Sequence, residues 1–200
     1  MGLDLDAARR EALLAYLGLL SKWNKVYNLT AVRDPGEMVS RHLLDSLSIL
    51  PWVGEGTLLD VGSGAGLPAV PLAIARPGLQ VTALDTNSKK TRFITQARLE
   101  LGLDELTVVH ARAGEWTAPE GFDRVVSRAF AEVGEFVALA GRYCRPDGRL
   151  LAMKAAVSDA ELAGIGPDWS VDEVRALSVP NVSGPRSLVV IVPQRDRAKP

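Results

Sequence analysis

Cysteine is almost missing from these 200 residues: Cys144 stands alone, so no internal disulfide can form. Histidine is nearly as scarce, and two of them leave too few ligands for a His/Cys zinc site, so no metal is expected. Excess charge of one sign is lacking too. With 23 Lys and Arg against 24 Asp and Glu the net charge is −1, which removes any overall electrostatic attraction to nucleic acid. No apolar run reaches the roughly 18 residues of a membrane span, and no basic-then-apolar leader opens the chain. The expectation is a soluble cytoplasmic protein with no membrane partner. Gly-Lys-Ser/Thr is absent, which excludes a P-loop. Repeats and low-complexity stretches are absent as well.

What the chain does have is an apolar run, Thr57-Leu58-Leu59-Asp60-Val61, that breaks into Gly62-Ser63-Gly64-Ala65-Gly66-Leu67-Pro68. This reads as a strand entering a tight turn, where glycine permits positive φ and leaves no Cβ to fend off a ligand. A second β-rich run ends in Asp85, 23 residues after Gly62, the distance at which a carboxylate meets ribose hydroxyls. The dinucleotide fingerprint is G-x-G-x-x-G, whereas the spacing here is G-x-G-x-G with Leu67 at the place of the third glycine. Three readings stand: a turn without ligand, a nicotinamide or flavin site, and a site for S-adenosylmethionine. The last suits the residues best. That donor has an adenosine, a positive sulfonium and no phosphate, and Asp60, Asp85 and an exposed Leu67 match such a molecule.

The rest of the chain alternates strands and helices. Strands are expected at 57–61, 80–84, 106–109, 122–126 and 148–153, and helices at 68–75, 88–101 and 132–143. Alternation of this kind predicts a parallel, doubly wound α/β sheet. Segments at about 170–178 and 187–192 read as an antiparallel pair at its edge. Upstream, one helix ends near Asn28 and another runs from Glu37 to Leu50, stopped by Pro51. The expected organisation is one domain over 1–200: a helical cap to residue 52, a core over 53–193 and a polar tail over 194–200. Ligands of such sheets sit beyond the carboxyl ends of the strands. That rule gathers Gly62–Leu67, Asp85, Ala111–Gly114 and Ser127–Phe130. Among these, Arg128 is a candidate for either the donor or the substrate, and Phe130 for base stacking or core. Trp23 and Tyr27 read as core, as does Cys144.

Several segments carry a more specific signal. These are Trp23-Asn24-Lys25-Val26-Tyr27-Asn28-Leu29-Thr30, Arg41-His42-Leu43-Leu44-Asp45-Ser46-Leu47, the glycine turn, Ser127-Arg128-Ala129-Phe130-Ala131, Lys154, and Arg186-Ser187-Leu188-Val189. In this order the chain resembles the small-subunit ribosomal RNA methyltransferase G family, also called glucose-inhibited division protein B. Ala69, Ala155 and Ser187 depart from the Gly, Gly and His frequent there. The resemblance implies a Rossmann-like class I S-adenosylmethionine-dependent methyltransferase fold: a mostly parallel seven-stranded sheet with a C-terminal antiparallel edge and an N-terminal helical cap. It also implies methylation of guanine N7 in the helix 18 loop of bacterial 16S rRNA, with that RNA or the small ribosomal subunit as partner; a monomer is expected, although the sequence itself does not fix the oligomeric state. By the resemblance the donor is held at Gly62, Leu67, Ala113, Gly114 and Arg128, beside Asp60, Gly64, Gly66 and Asp85 of the turn reading. Guanine N7 attacks through an in-plane lone pair and needs no general base. None is expected, and neither Asn-Pro-Pro-Tyr nor a Pro-Cys nucleophile is present. Positioning then falls to Arg128, Phe130 and Lys154, and RNA contact to Asn28, Arg41, His42, Lys89, Lys90 and Arg186.

Overall fold

A computed structural model describes residues 4–128 and 130–194. The first helix, α1 (Ala7–Tyr27), starts where the Asp6 carboxylate accepts the Arg9 N–H at 2.8 Å. It ends at Asn28, whose left-handed φ of 51° closes the last turn. Leu13, Leu17 and Leu20 recur at helical spacing and are buried together with Tyr16. Trp23 packs against Phe93 at 5.6 Å between ring centroids. Tyr27, expected in the core, is instead 43 % exposed, because the helix runs out past the body it covers.

The second helical stretch departs from the expected single helix over 37–50. It divides into α2 (Pro35–Met38), a π-helical turn (Val39–Leu44), α3 (Asp45–Leu47) and α4 (Leu50–Val53). Pro51 stops nothing: it lies in the first turn of α4, where a missing N–H leaves no bond unmade. The π turn is wider than an α turn and changes which side chains face inward. Ser40 and His42 within it, and Asp45 and Ser46 in the α3 turn that follows, are all buried.

Seven strands among the described residues form one sheet in the order β3-β2-β1-β4-β5-β7-β6. They are β1 (Thr57–Val61), β2 (Gln80–Asp85), β3 (Leu106–His110), β4 (Phe122–Ser127), β5 (Cys144–Lys154), β6 (Trp169–Ala176) and β7 (Ser187–Pro193). The first five are parallel, and β7 runs antiparallel to both β5 and β6. The crossovers carry α5 (Ala69–Ala75), α6 (Ser88–Leu101) and α7 (Val133–Ala140). A further short helix, α8 (Asp159–Ala163), follows β5 where no helix is expected. β5 begins four residues before the expected 148, and α7 gives way to a 3-10 turn over Gly141–Tyr143.

The central strands are apolar on both faces, as parallel strands covered by helices must be. Leu58, Val81, Leu151 and Val190 face the layer of α1, α5 and α6, while Leu59, Leu84, Leu150 and Val189 face the α7 side. The two-residue period puts Asp60 on the same face as Leu58, fully buried under the glycine turn. Strand order reverses between β1 and β4, so the crevice opens where the carboxyl ends of these two strands diverge.

Candidate active site

The glycine turn is built by three left-handed residues, Gly62 (φ 73°), Gly64 (φ 60°) and Gly66 (φ 82°). They do different work. A Cβ at Gly64 would meet nothing closer than 4.0 Å, so this glycine faces open crevice. A Cβ at Gly66 would lie 2.6 Å from Val70 Cγ2, so this one lets α5 approach the turn. From below, the Tyr16 hydroxyl donates to the Ala65 carbonyl at 2.6 Å. Leu67 corrects an expectation. It is 4 % exposed and packed in the core, because the left-handed turn swings its side chain inward.

Asp85 is held in place before any ligand arrives. Its Oδ2 accepts the Gly64 N–H and its Oδ1 the Asn87 N–H, both at 2.8 Å. Each carboxylate oxygen keeps a second lone pair for a hydroxyl. Asp60 is differently placed: its Oδ2 accepts the Ala69 N–H at the start of α5, at 3.1 Å, and its Oδ1 has no partner among the described residues. Burial pushes its carboxyl up to about 7, against which the Ala69 hydrogen bond pulls only partly. The first amide of α5 is thus spent on a buried carboxylate. Asn87 Oδ1 likewise accepts the Lys89 and Lys90 N–H groups at the start of α6. The start of α5, just after the glycine turn, therefore offers no free amide cradle for a phosphate.

Three cavities meet above the sheet. One of about 370 Å³ is lined by Val61, Gly62, Asp85, Ala113, Gly114 and Phe130 among others. A small one of about 150 Å³ lies between Leu29, Thr30, Gly62, Gly64, Leu67 and Arg128. The largest, about 470 Å³, is bounded by Arg41, His42, Asp45, Arg128, Phe130, Lys154 and Arg186 and includes the departures Ala155 and Ser187. Gly62 borders the first two, Arg128 the last two, and Phe130 the first and the third. Phe130 also rests on Phe136 at 5.5 Å, so it is half core and half wall.

The charges of the largest cavity are paired. Asp45, 5 % exposed, binds Arg128 Nη1 at 2.9 Å through Oδ2 and Arg186 Nε at 3.3 Å through Oδ1. Lys154 pairs with Glu161 of α8 at 2.7 Å and donates to the Ala131 carbonyl. Arg41 pairs with Glu37 at 3.2 Å on the rim. His42 Nε2 contacts the Thr30 hydroxyl at 2.9 Å. Burial, aided by the Arg128 charge, holds the His42 imidazole down at about 4.

Other expected site residues lie apart. Asn28 is exposed and accepts from Arg33 at 2.9 Å instead of lining the crevice. The buried amide of that segment is Asn24, which accepts the Thr30 N–H and donates to the Val32 carbonyl. Its place within an apolar helical stripe is the signal that marks it. Lys89 is exposed at the start of α6, and the Lys90 ammonium lies near Gly64. Neither lines the largest cavity. Asp45, Glu161 and, on the rim, Glu37 carry the site's ion pairs, although none is among the expected site residues.

The family model described as rRNA small subunit methyltransferase G matches residues 9–190. The chain belongs to that family. A curated Ribosomal RNA small subunit methyltransferase G from Alkalilimnicola ehrlichii is 54% identical over 189 residues, covering 94% of this chain and 86% of the relative. Among solved structures, an S-adenosylmethionine-dependent methyltransferase from Aquifex aeolicus superposes with a TM-score of 0.61 at 18% identity, covering 90% of this chain and 98% of that one. Coclaurine N-methyltransferase, solved with N-methylheliamine and S-adenosylhomocysteine, gives 0.59 at 16% identity over 82% and 60% of the two chains. These likenesses place the methyltransferase G sheet in the Rossmann-like class I methyltransferase fold.

Proposed function

We propose that this protein uses S-adenosylmethionine to methylate N7 of a guanine in the helix 18 loop of bacterial 16S rRNA. The curated relatives bear the name of a ribosomal RNA methyltransferase, and the crevice suits this donor. Its adenosine end would lie along Leu84, Ala111 and Ala113, with Asp85 toward the ribose and Gly62, Gly64 and Arg128 toward the methionine. The first amides of α5 go to Asp60 and Gly66 and Pro71 has none, so the helix after the glycine turn has no amide to spare for a pyrophosphate, which disfavours a dinucleotide. S-adenosylmethionine supplies a methyl group on a sulfonium; as the N7 lone pair forms the new N–C bond, the C–S bond breaks and sulfur keeps that electron pair.

The observation that carries the N7 assignment is the lack of an effective base among the described residues of the largest cavity. Asp45 is held by two arginines and Lys154 by Glu161, while His42, 4 % exposed and with Nδ1 unbonded among the described residues, is a poor base because burial holds its imidazole down at about 4. An exocyclic amine would have to lose a proton during methylation, whereas N7 has none to lose. What remains for the chain is alignment. Phe130 and Arg128 border both the donor and the substrate spaces, and holding reactants in line supplies several kcal/mol, up to roughly 7–11 in favourable models.

The test is incubation with labelled S-adenosylmethionine and small-subunit particles from a strain lacking the gene. Label should appear as 7-methylguanosine in the helix 18 loop and vanish on prior ribonuclease treatment. Label on another RNA atom would overturn the N7 assignment, and transfer without RNA would replace the substrate class.

A further inference from the structure

We propose that Arg186 selects guanine by donating a single hydrogen bond from Nη2 to O6 of the target base, leaving N7 free to react. This rests on the function proposed above. Arginine ordinarily reads guanine with a two-pronged contact to O6 and N7. Such a contact would tie up the lone pair that must attack the methyl group. In Arg186 part of the fork is already engaged. Its Nε lies in an ion pair with Asp45 at 3.3 Å, and one Nη1 N–H donates to the Pro185 carbonyl at 2.8 Å. Nη1 keeps one further N–H, but Nη2 alone has both of its N–H groups without a partner among the described residues, so it is the nitrogen best placed to meet a ligand.

The fold explains why a residue just before a strand stands at this crevice. β7 is antiparallel to β5, and Ser187 pairs with Lys154 at the carboxyl end of β5. Arg186 is therefore raised to the level of the other strand ends and lines the largest cavity beside Phe130. The other cations of that cavity are committed. Lys154 is paired with Glu161, Arg41 with Glu37, and Arg128 also borders the small cavity by the glycine turn. Arg186 borders neither of the two spaces assigned to the donor. Adenine would turn an amino group toward this guanidinium, setting donor against donor. The product, 7-methylguanine, carries a positive charge, and the shared Asp45 carboxylate offsets the nearby guanidinium.

The measurement is kcat/KM on 16S rRNA carrying guanine, inosine or 2-aminopurine at the target position, for the wild type, Arg186→Ala and Arg186→Lys. Inosine keeps O6 and N7; 2-aminopurine keeps N7 and lacks O6. Wild-type enzyme should treat inosine like guanine within a few-fold and be slower on 2-aminopurine. Arg186→Ala should lose roughly tenfold to a hundredfold on guanine and inosine, the range for a hydrogen bond to a charged group, with little further loss on 2-aminopurine. Any intrinsic difference in N7 reactivity cancels, because it is common to all three proteins. Arg186→Lys keeps the charge and should still lose the guanine preference, which separates recognition from folding. Equal loss on all three bases in both variants would overturn the proposal and make Arg186 a phosphate or folding contact. Wild-type inactivity on the guanine RNA would instead overturn the function on which it rests.

Discussion

Asp60 and His42 are both sealed from water, and they titrate in opposite senses. The Asp60 carboxyl is raised to about 7 by burial, so between about pH 4 and 7 the folded chain keeps a proton that the unfolded chain has released. Folding is therefore weakened by this group as pH rises. His42 is lowered to about 4, so between about pH 6.5 and 4 the unfolded chain binds a proton that the folded chain refuses, and folding is weakened as pH falls. The two slopes oppose each other in one window. Relative to wild type, Asp60→Asn should gain stability as pH rises from 4 to 7, on the order of 1 kcal/mol per pH unit. His42→Gln should show the reverse trend. Melting temperatures at half-unit pH intervals check both. The two glycines offer a second contrast. Gly64→Val should cut donor affinity in calorimetry at least tenfold, since its side chain enters the crevice, while the strain at φ 60° costs about 1–2 kcal/mol of stability. Gly66→Ala should chiefly lower the melting temperature, because its Cβ meets Val70 within the core.

At the scale of elements, ties between distant segments hold the site together. Glu161 of α8 accepts the Val133 N–H at 3.0 Å, serving the uncapped start of α7, and pairs with Lys154 at the end of β5. Glu161→Ala should cost about 1–3 kcal/mol, read as a melting shift of several degrees, with donor affinity unchanged. Arg128→Ala unties the π turn from the end of β4 and should weaken donor binding more than it lowers the melting temperature. The opposite ranking in paired calorimetry and melting would make Arg128 a structural residue. These ties are the least legible part of the sequence. The runs that form β1, β2 and α6 declare themselves by apolar content and capping, since those signals are local. Asp45 and Arg128 stand 83 residues apart, and no local pattern states that they meet. The stretch over 37–50 misleads for a related reason. Its apolar stripe fits a continuous helix, and the burial of His42 and Asp45, which the π turn accommodates, is a tertiary demand. Leu67 and Tyr27 exchange their expected exposures because a turn's direction and a helix's overhang are set by what lies beside them.

For the whole molecule, a net charge of −1 means that any hold on RNA is local. Removing one cation that neutralises a phosphate should reduce the salt slope of binding by about one. Lys89→Ala should do so in a filter-binding titration from low to high salt, without changing donor affinity, since Lys89 borders none of the three cavities.

The sheet order also constrains how the protein comes into being. β6 precedes β7 in the chain, yet β7 lies between β6 and β5. During vectorial synthesis β6 therefore emerges with no edge to join, and must wait for a later segment to slot in and bridge it. Arg186 and Ser187 reach their posts in that same closing event. A nascent chain halted before β7 would hold a glycine turn and an Asp85 but no Arg186 in the wall of the largest cavity, so completion of that cavity is coupled to completion of the sheet.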